Sequence, residues 1–305
     1  MDSNNTFSSE TFSDLSHDAQ CPHKICSGSG IESKLPHAFI KRMRTDFETT
    51  AEYERFIACY SDAPIRAMRI NTLKISKERF LDLCPWRTKQ SELLNEGLIL
   101  TENPEHIGTH PYHIAGLFYM QEPSAMSVVE AAEIAPGMRV LDLCAAPGGK
   151  SLTLAECMQN QGELISGEYV ESRVPLLRKA FARCGVTCAE AVQNDAAQLR
   201  SDWGKFDRIL CDVPCSGLGV IAKKPDIRYK DLDGIENLLL SQQKILQNGA
   251  DLLAENGRLV YSTCTVNRDE NEEQVKTFLE NNPRLLVAVP ALQLPGMQQG
   301  EYGTL

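Results

Sequence analysis

Apolar runs and amphipathic stretches alternate along the chain from Glu122 onward. A short apolar run between turn residues is typical of a buried strand, and apolar residues three and four apart are typical of a helix. The pattern predicts helices over 123–134, 149–159, 171–183, 234–254 and 269–281, and strands over 138–143, 163–168, 187–192, 207–212 and 257–263. Alternating helix and strand predict an α/β fold with a doubly wound, mostly parallel sheet.

The chain before residue 110 has a different pattern. Helical spacing predicts two short helices there, one through Phe39, Ile40, Met43 and Phe47 and one through Tyr53, Phe56, Ile57 and Tyr60. Arg66–Asn71 alternates like a strand, and Ser76 is a candidate cap for a helix ending at Leu83. We therefore expect a small α/β domain over 33–110 and a larger domain over 111–305. Residues 1–32, rich in Ser, Asn, Asp and Gly, predict a disordered leader.

The overall composition is that of a soluble globular protein. The chain has 305 residues, of which 42% are hydrophobic and 24% charged, enough for one large and one smaller domain. It contains no apolar run of about 18 residues, as a membrane span requires, and its N-terminus lacks the pattern of a signal peptide. We expect a cytoplasmic protein, assumed to be a monomer, with no membrane partner.

The eleven cysteines indicate a reduced compartment. Their number is odd, they are scattered, and a chain of this length does not need disulfides. Cys21 and Cys26 flank His23, but no second pair supplies the remaining ligands of a zinc site. We expect free thiols and no metal.

The net charge of −10 argues against non-specific binding to nucleic acid, yet the charge is uneven. Residues 34–89 hold 12 Lys and Arg against 7 Asp and Glu, an excess of five positive charges. A second basic segment follows the predicted strand 207–212 and contains Lys223, Lys224, Arg228 and Lys230. Each segment alone is more often a solvated face, but together they favour contact with a phosphate backbone.

Three distinctive motifs follow predicted strands. They are Asp142–Lys150, which reads Asp-Leu-Cys-Ala-Ala-Pro-Gly-Gly-Lys, Asp212–Gly217, which reads Asp-Val-Pro-Cys-Ser-Gly, and Ser262–Cys264. In open parallel sheets the carboxyl ends of the strands share one edge, where ligands bind. We expect the motifs to meet there as a cofactor cradle that faces the thiols of Cys215 and Cys264.

The glycine-rich turn Ala145–Lys150 places backbone N–H groups at a helix start, where a polar ligand is well received. The pattern GxxxxGK[ST] would need glycine at Cys144, which argues against an NTPase loop, and the dinucleotide pattern GxGxxG is absent. Glu168 ends the second strand, where a carboxylate can accept both ribose hydroxyls, and Asp195 after the third strand can hold an adenine amino group. The sequence predicts a nucleoside pocket.

Several stretches together resemble the Nop/Sun-type RNA cytosine-C5 methyltransferases, and within them the bacterial small-subunit ribosomal RNA enzymes. The stretches are Arg69–Lys74, Tyr119–Met126, Asp142–Lys150, Asp212–Gly217, and Tyr261–Cys264 followed by Glu270–Glu272. The likeness covers roughly residues 34–285, and the order of the three cysteine-bearing motifs is highly specific. It implies a Rossmann-like methyltransferase sheet and an N-terminal domain that holds RNA with residues including Arg69 and Asn71.

The resemblance also implies a cofactor and roles for the site residues. S-adenosylmethionine would be held by Cys144, Ala145, Ala146, Pro147, Gly148, Gly149, Lys150, Glu168, Asp195 and Asp212. Cys264 would be the nucleophile, Cys215 would assist release of the methylated RNA, and Lys150 and Asp212 would also lie against the base. Chemistry alone leaves the choice between the thiols open, because DNA cytosine methyltransferases use a Pro-Cys nucleophile. Only the resemblance selects Cys264.

The residue types suit this chemistry. Carbon 5 of cytosine is a weak nucleophile until a thiolate adds to carbon 6, which divides one hard step into easier ones. Lys150 and a positively charged cofactor would favour the thiolate, and Asp212 can bond the ring N3 or the exocyclic amine. We expect a ribosomal RNA substrate with transfer RNA as the rival. A catalytically weak RNA-binding assembly factor and a DNA methyltransferase are the alternatives.

Members of this family continue beyond the helix predicted to end near Glu280 with further strands. The chain stops at Leu305, so we expect a methyltransferase domain truncated at its C-terminus. An open sheet edge there would be prone to pairing with other chains.

Overall fold

A computed structural model describes residues 29–47, 49–92, 94–198, 200–229, 234–288 and 300–302. Most of the predicted leader, including Cys21, His23 and Cys26, lies outside this described part. The last residues of the predicted leader form a helical turn, α1 (Ser29–Glu32), and the Glu32 carboxylate pairs with Arg44 at 3.1 Å. Regular structure therefore begins before Leu35.

The first sheet is antiparallel. Its strands are β1 (Ala67–Ile70), β2 (Thr88–Gln90), β3 (Gly97–Leu100) and β4 (Phe118–Met120), in the order β2-β3-β1-β4. The helices around it are α2 (His37–Asp46), α3 (Thr50–Ala58), α4 (Lys77–Leu83) and α5 (Pro111–Ile114). Strand β4 pairs with β1 through Met120 and Met68, so this sheet extends beyond residue 110, where we expected the N-terminal domain to end.

Local signals explain where these elements begin. The Ser76 hydroxyl accepts a hydrogen bond from the Arg79 N–H at 3.2 Å, which confirms the predicted cap of α4. Helix α3 starts with a capping box, in which Thr49 and Glu52 bond each other's backbone N–H. Phe80 from α4 is fully buried, so this helix closes one face of the sheet.

The second sheet is parallel throughout its described pairings, which confirms the predicted α/β class. Its strands are β5 (Arg139–Asp142), β6 (Glu163–Glu168), β7 (Ala189–Gln193), β8 (Phe206–Asp212) and β9 (Leu253–Ser262), in the order β7-β6-β5-β8-β9. Its helices are α6 (Pro123–Glu130), α7 (Gly149–Cys157), α8 (Val174–Cys184), α9 (Ile235–Leu252) and α10 (Glu272–Asn281). No helix in the described part of the chain is long and apolar enough to cross a bilayer.

The direction of winding reverses between β5 and β8. The chain builds outward from β5 to β7, then returns to add β8 and β9 on the other side of β5. In such a sheet the loops after the two central strands diverge and leave a crevice at their carboxyl ends. The turn after Asp142 and the motif after Asp212 therefore face each other, and Ser262 ends the adjacent strand.

Apolar clusters cover both faces of this sheet. Helices α7 and α8 bury residues such as Leu154 and Phe181 on one face, and α9 buries Ile245 on the other. A third cluster joins α2 and α3 to the segment after Cys215, where Phe39 and Ile57 pack with Ile221. The N-terminal helices therefore pack directly against the part of the chain that builds the parallel sheet.

Candidate active site

A glycine-rich turn links β5 to α7. Gly148, at its end, has φ +109°, a conformation that L side chains rarely adopt, and a Cβ there would lie 3.0 Å from Leu177 Cδ2. A Cβ on Gly149 would lie 3.4 Å from Gln121 Nε2. The positive φ and the close contact require glycine at Gly148, whereas the distance at Gly149 is ordinary contact. The first N–H groups of a helix such as α7 lack partners within the helix and suit a polar ligand.

A cavity of about 320 Å³ opens beside this turn and is lined by Asp142, Cys144, Lys150, Asp212 and Gln121 among others. Two buried polar atoms on it have no hydrogen-bond partner within the described residues, the acceptor Asp142 Oδ1 and the donor Gln121 Nε2. Buried polar groups are normally paired. A ligand that carries both an amino and a carboxylate group, as the methionine end of S-adenosylmethionine does, fits this donor and acceptor.

Asp142 is almost completely buried, at 1% exposure. Its Oδ2 accepts a hydrogen bond from the Ser151 hydroxyl at 2.6 Å. Burial raises the pKa of Asp142 to about 7, because the charged form loses its hydration.

Glu168 and Asp195 lie at the ends of adjacent strands, as expected, but outside the residues that line the cavity. Glu168 is 4% exposed and its Oε1 accepts a hydrogen bond from the Val170 N–H at 2.8 Å. The residue before it, Gly167, accepts a hydrogen bond from the Ala145 N–H at 2.8 Å, so Glu168 adjoins the glycine-rich turn. Asp195 caps its own loop through the Ala197 N–H at 3.0 Å.

Three strand ends meet at Asp212. The Lys150 Nζ lies 2.7 Å from Asp212 Oδ2, and the Ser262 hydroxyl donates to Asp212 Oδ1 at 2.7 Å. One ion pair and one hydrogen bond thereby orient the Asp212 carboxylate. Asp212 also lines the cavity. The sequence predicted Lys150 and Asp212 as neighbours. It did not reveal Ser262, whose contact depends on the pairing of β8 with β9.

The two motif thiols touch. The Sγ atoms of Cys215 and Cys264 lie 3.1 Å apart, and the Cys264 N–H lies 3.3 Å from Cys215 Sγ. The hydrogen bond with Cys215 lowers the pKa of Cys264 to about 7, while the same bond raises the pKa of Cys215. Cys264 is exposed, whereas Cys215 is partly buried. Burial raises the pKa of Cys144, in contrast to the lowered pKa of Cys264.

Close backbone approach holds the thiols together. Gly217, two residues after Cys215, has φ +77°, and the Gly219 N–H donates to the Cys264 carbonyl at 3.1 Å. A Cβ on Gly219 would lie 2.9 Å from that same carbonyl oxygen. The motif glycines therefore let the two loops meet.

The basic segments are only partly free to meet a phosphate backbone. Lys223 is 53% exposed but pairs with Glu122 at 2.9 Å. Lys224 is exposed, and its positive charge helps to lower the pKa of Cys264, after the hydrogen bond from Cys215 as the main cause. In the other segment, Arg42 pairs with Asp269 at 2.9 Å. Lys230 lies outside the described residues.

Arg69 and Asn71 do not lie on an RNA-accessible surface, which corrects the expectation that they hold RNA. Arg69 is 3% exposed and its guanidinium lies 3.3 Å from the buried Glu156 carboxylate of α7. Asn71 is 1% exposed and donates to the carbonyls of Gly116 and Cys184 at 2.7 and 2.8 Å. Both side chains join the first sheet to the helices of the second.

The described residues contain no group of three or more His, Cys, Asp or Glu side chains placed to hold a metal ion. At this sheet edge lie the contacting thiols, the Lys150–Asp212 pair and the cavity that this pair lines.

Two family descriptions match most of the chain. The 16S rRNA methyltransferase RsmB/F family matches residues 130–304, and the N-terminal domain of 16S rRNA methyltransferase RsmF matches residues 35–123. Ribosomal RNA small subunit methyltransferase F of Cronobacter sakazakii is 36% identical over 282 residues, which make up 89% of this chain and 58% of that protein. The Escherichia coli protein of the same name (strain SMS-3-5 / SECEC) is 34% identical over 84% of this chain and 56% of its own length. The chain therefore spans less than two thirds of the length of these relatives.

Solved structures agree. A methyltransferase homolog protein from Pyrococcus horikoshii superimposes with a TM-score of 0.68 at 32% identity, over 75% of this chain and 74% of that one. NSun6 from Pyrococcus horikoshii, solved with SFG, reaches a TM-score of 0.72 over 81% of this chain and 87% of that one, at 22% identity, and shows the fold alone. These matches confirm the resemblance carried by the cysteine motifs. The chain belongs to the RsmB/F family of 16S rRNA methyltransferases.

Proposed function

We propose that this chain methylates carbon 5 of a cytosine in ribosomal RNA, with S-adenosylmethionine as methyl donor and Cys264 as nucleophile. The observation that carries the proposal is the 3.1 Å contact between the thiols of Cys215 and Cys264 at the edge of the sheet. Membership of the RsmB/F family supports the reaction class and the RNA substrate. The reaction belongs in the cytoplasm, where thiols stay reduced.

The cofactor site in this proposal is the cavity beside the glycine-rich turn. Cys144–Lys150 hold the methionine end, with Asp142 and Gln121 supplying the unpaired acceptor and donor. Glu168 binds the ribose hydroxyls, and Asp195, at the end of the next strand, binds the adenine. The bound cofactor supplies an electrophilic methyl group. Lys150 and Asp212 also lie against the target base.

Each protein side chain has a defined step. The Cys264 thiolate forms a bond to carbon 6 of the cytosine, and the electron pair displaced from the 5,6 double bond makes carbon 5 nucleophilic. Asp212, held by Lys150 and Ser262, accepts a hydrogen bond from the exocyclic amine, or from ring N3 once a proton is bound there. The positive charge of Lys150 offsets the negative charge that develops on the ring. After carbon 5 is methylated, it loses its proton to a base and the electron pair expels the Cys264 sulfur. Cys215 assists this release.

The two thiols provide the test, with ribosomal RNA that contains an unstacked target cytosine as substrate. Cys264→Ala removes the attacking sulfur, so we expect no methyl transfer and no covalent species. Cys215→Ala leaves attack intact but slows release, so we expect an RNA-linked protein that survives denaturing electrophoresis. A trapped adduct in Cys264→Ala and none in Cys215→Ala would reverse the two roles and make Cys215 the nucleophile, as the Pro-Cys thiol is in DNA cytosine methyltransferases. Full activity in both variants would exclude covalent catalysis by either thiol.

A further inference from the structure

Glu270 is a fully buried carboxylate next to the thiol loops, at 0% exposure. Its Oε2 accepts hydrogen bonds from the Ser216 N–H at 2.8 Å and from Gln242 Nε2 at 3.1 Å. Its Oε1 accepts from the Ser216 hydroxyl at 2.5 Å and from Asn267 Nδ2 at 3.2 Å. A buried charge is costly unless hydrogen bonds compensate it, and these donors do so.

Hydrogen bonds of this network reach the backbone on both sides of Cys215. Ser216, directly after the thiol, gives its backbone N–H and its hydroxyl to Glu270. The carbonyl of Pro214, directly before the thiol, accepts a hydrogen bond from Gln242 Nε2 at 2.9 Å. The same Gln242 amide also donates to Glu270. Glu270 and Gln242 together therefore fix the backbone on either side of Cys215.

The same network reaches the loop of Cys264. The hydroxyls of Ser216 and Thr265 lie 2.8 Å apart, and Thr265 directly follows the second thiol. On the far side of that loop, Asn271 accepts a hydrogen bond from the Thr263 hydroxyl at 2.6 Å and donates to the Thr265 carbonyl at 3.1 Å. The position of one thiol relative to the other thus depends on a hydrogen-bond network with Glu270 at its centre.

We propose that Glu270 is the positioning residue that holds Cys215 against Cys264 and thereby controls release of the methylated RNA. This inference rests on the proposed function, because it assigns Glu270 to the step that Cys215 assists. Glu270 acts through Ser216 and Gln242 rather than on the substrate. Loss of its carboxylate should therefore reproduce the defect of a missing Cys215 thiol while that thiol is still present.

Glu270→Gln is the informative change. The amide keeps the size of the side chain but replaces one acceptor oxygen by an NH₂ donor, which must then face a donor of Ser216, Gln242 or Asn267. We expect the variant to form the RNA adduct and to release it roughly 10- to 100-fold more slowly, the factor for losing a hydrogen bond to a charged group. RNA-linked protein should accumulate on denaturing gels although Cys215 is intact.

Glu273→Gln is the matched control, because this side chain is exposed at the start of α10, three residues after Glu270, and it should release RNA at the unmutated rate. In the double variant Cys215→Ala/Glu270→Gln, release should be as slow as in Cys215→Ala alone, because both changes remove the same assistance. A purely structural role for Glu270 would instead add a further loss. Thermal melting and S-adenosylmethionine binding report whether each variant is folded.

Ser216→Ala removes the hydroxyl contacts with Glu270 and Thr265 but keeps the backbone N–H bond to Glu270, and it decides the matter if Glu270→Gln does not fold. Accumulated adduct in Ser216→Ala then supports the proposal, and its absence overturns it. If Cys215→Ala traps an adduct but folded Glu270→Gln does not, the inference fails and the proposed function stands. If Cys215→Ala itself traps none, the proposed release step fails, and the role of Glu270 fails with it.

Discussion

The sulfur of Cys215 lies 3.1 Å from the sulfur of Cys264, and this hydrogen bond is the main reason why the pKa of Cys264 falls to about 7. A lowered thiol pKa means that the reactive thiolate is lost only as pH falls below about 7. We therefore predict that alkylation of Cys264 by iodoacetamide rises through a midpoint near pH 7. Peptide mass spectrometry follows this cysteine separately from the others.

The same experiment on Cys215→Ala tests the cause of the shift. Without the Cys215 hydrogen bond, the midpoint should move up toward the usual cysteine value of about 8.5. Cys59, an exposed cysteine distant in sequence from both motifs, serves as the internal reference. An unchanged midpoint for Cys264 in the variant would show that Cys215 does not stabilise the thiolate.

Arg69 should matter for stability rather than for RNA binding. Arg69→Met leaves Glu156 buried without its ion pair, which should lower the free energy of unfolding by about 3 to 5 kcal/mol. Urea unfolding measures this loss, and the double variant Arg69→Met/Glu156→Gln should recover most of it. The control Arg79→Met changes an arginine whose side chain is 65% exposed. A change in the salt dependence of RNA binding with unchanged stability would return Arg69 to an RNA-binding role.

The two neighbouring lysines should differ in their contribution to RNA binding. Lys223 already pairs with Glu122, whereas no ion pair of Lys224 occurs among the described residues. We predict that Lys224→Ala lowers the slope of log affinity against log salt by about one unit, the value for one lost phosphate contact, and that Lys223→Ala lowers it less. Filter binding across a salt series measures both slopes. Equal slopes in both variants and the unmutated protein would place both lysines on a solvated face.

The raised pKa of Asp142 should make the free energy of unfolding fall as pH rises toward about 7. Its pKa is raised by burial from 3.8 to about 7, so in that window the folded protein holds a proton that the unfolded chain releases. Asp142→Asn cannot lose this proton and should gain about 2.7 kcal/mol of stability relative to the unmutated protein between pH 5 and pH 8, because about two pKa units at about 1.36 kcal/mol each lie in that range. Urea unfolding without cofactor at both pH values measures the gain. Exposed Asp226→Asn is the control, and an equal difference at both pH values contradicts the prediction.

Glu168 should contribute to cofactor binding through its position beside the glycine-rich turn. We predict that Glu168→Ala weakens S-adenosylmethionine binding by about 1.5 to 3 kcal/mol, the range for hydrogen bonds to a charged acceptor. Calorimetry compares it with Glu171→Ala, which removes an exposed carboxylate three residues later. Equal affinity in both variants would remove Glu168 from the cofactor site.

Much of the fold follows from local sequence. Short apolar runs predicted the positions of the strands between Arg139 and Ser262 within a few residues. A strand of a parallel sheet is buried on both faces and therefore needs such an uninterrupted run. Ser76 predicted the start of α4, because a hydroxyl at the cap position accepts a hydrogen bond from a backbone N–H of the first turn. The proximity of the three motifs also followed from the sequence, because each motif follows a predicted strand and the carboxyl ends of parallel strands share one edge of the sheet.

Other relationships became visible only in the folded chain. Arg69 and Asn71 belong to a motif to which the family resemblance assigned RNA binding, yet the packing of the first sheet on α7 and α8 buries them. Strand β4 joins the first sheet beyond the expected boundary at residue 110. The sequence did not predict this, because the pairing of β4 with β1 depends on a long-range contact and not on the three residues of β4. The sequence by itself determined the alternation of elements, the glycine-rich turn and the identity of the thiols. The tertiary structure decided the contact between the two thiols, the groups that orient Asp212 and the groups that hold Cys215, because these depend on contacts between residues far apart in the chain.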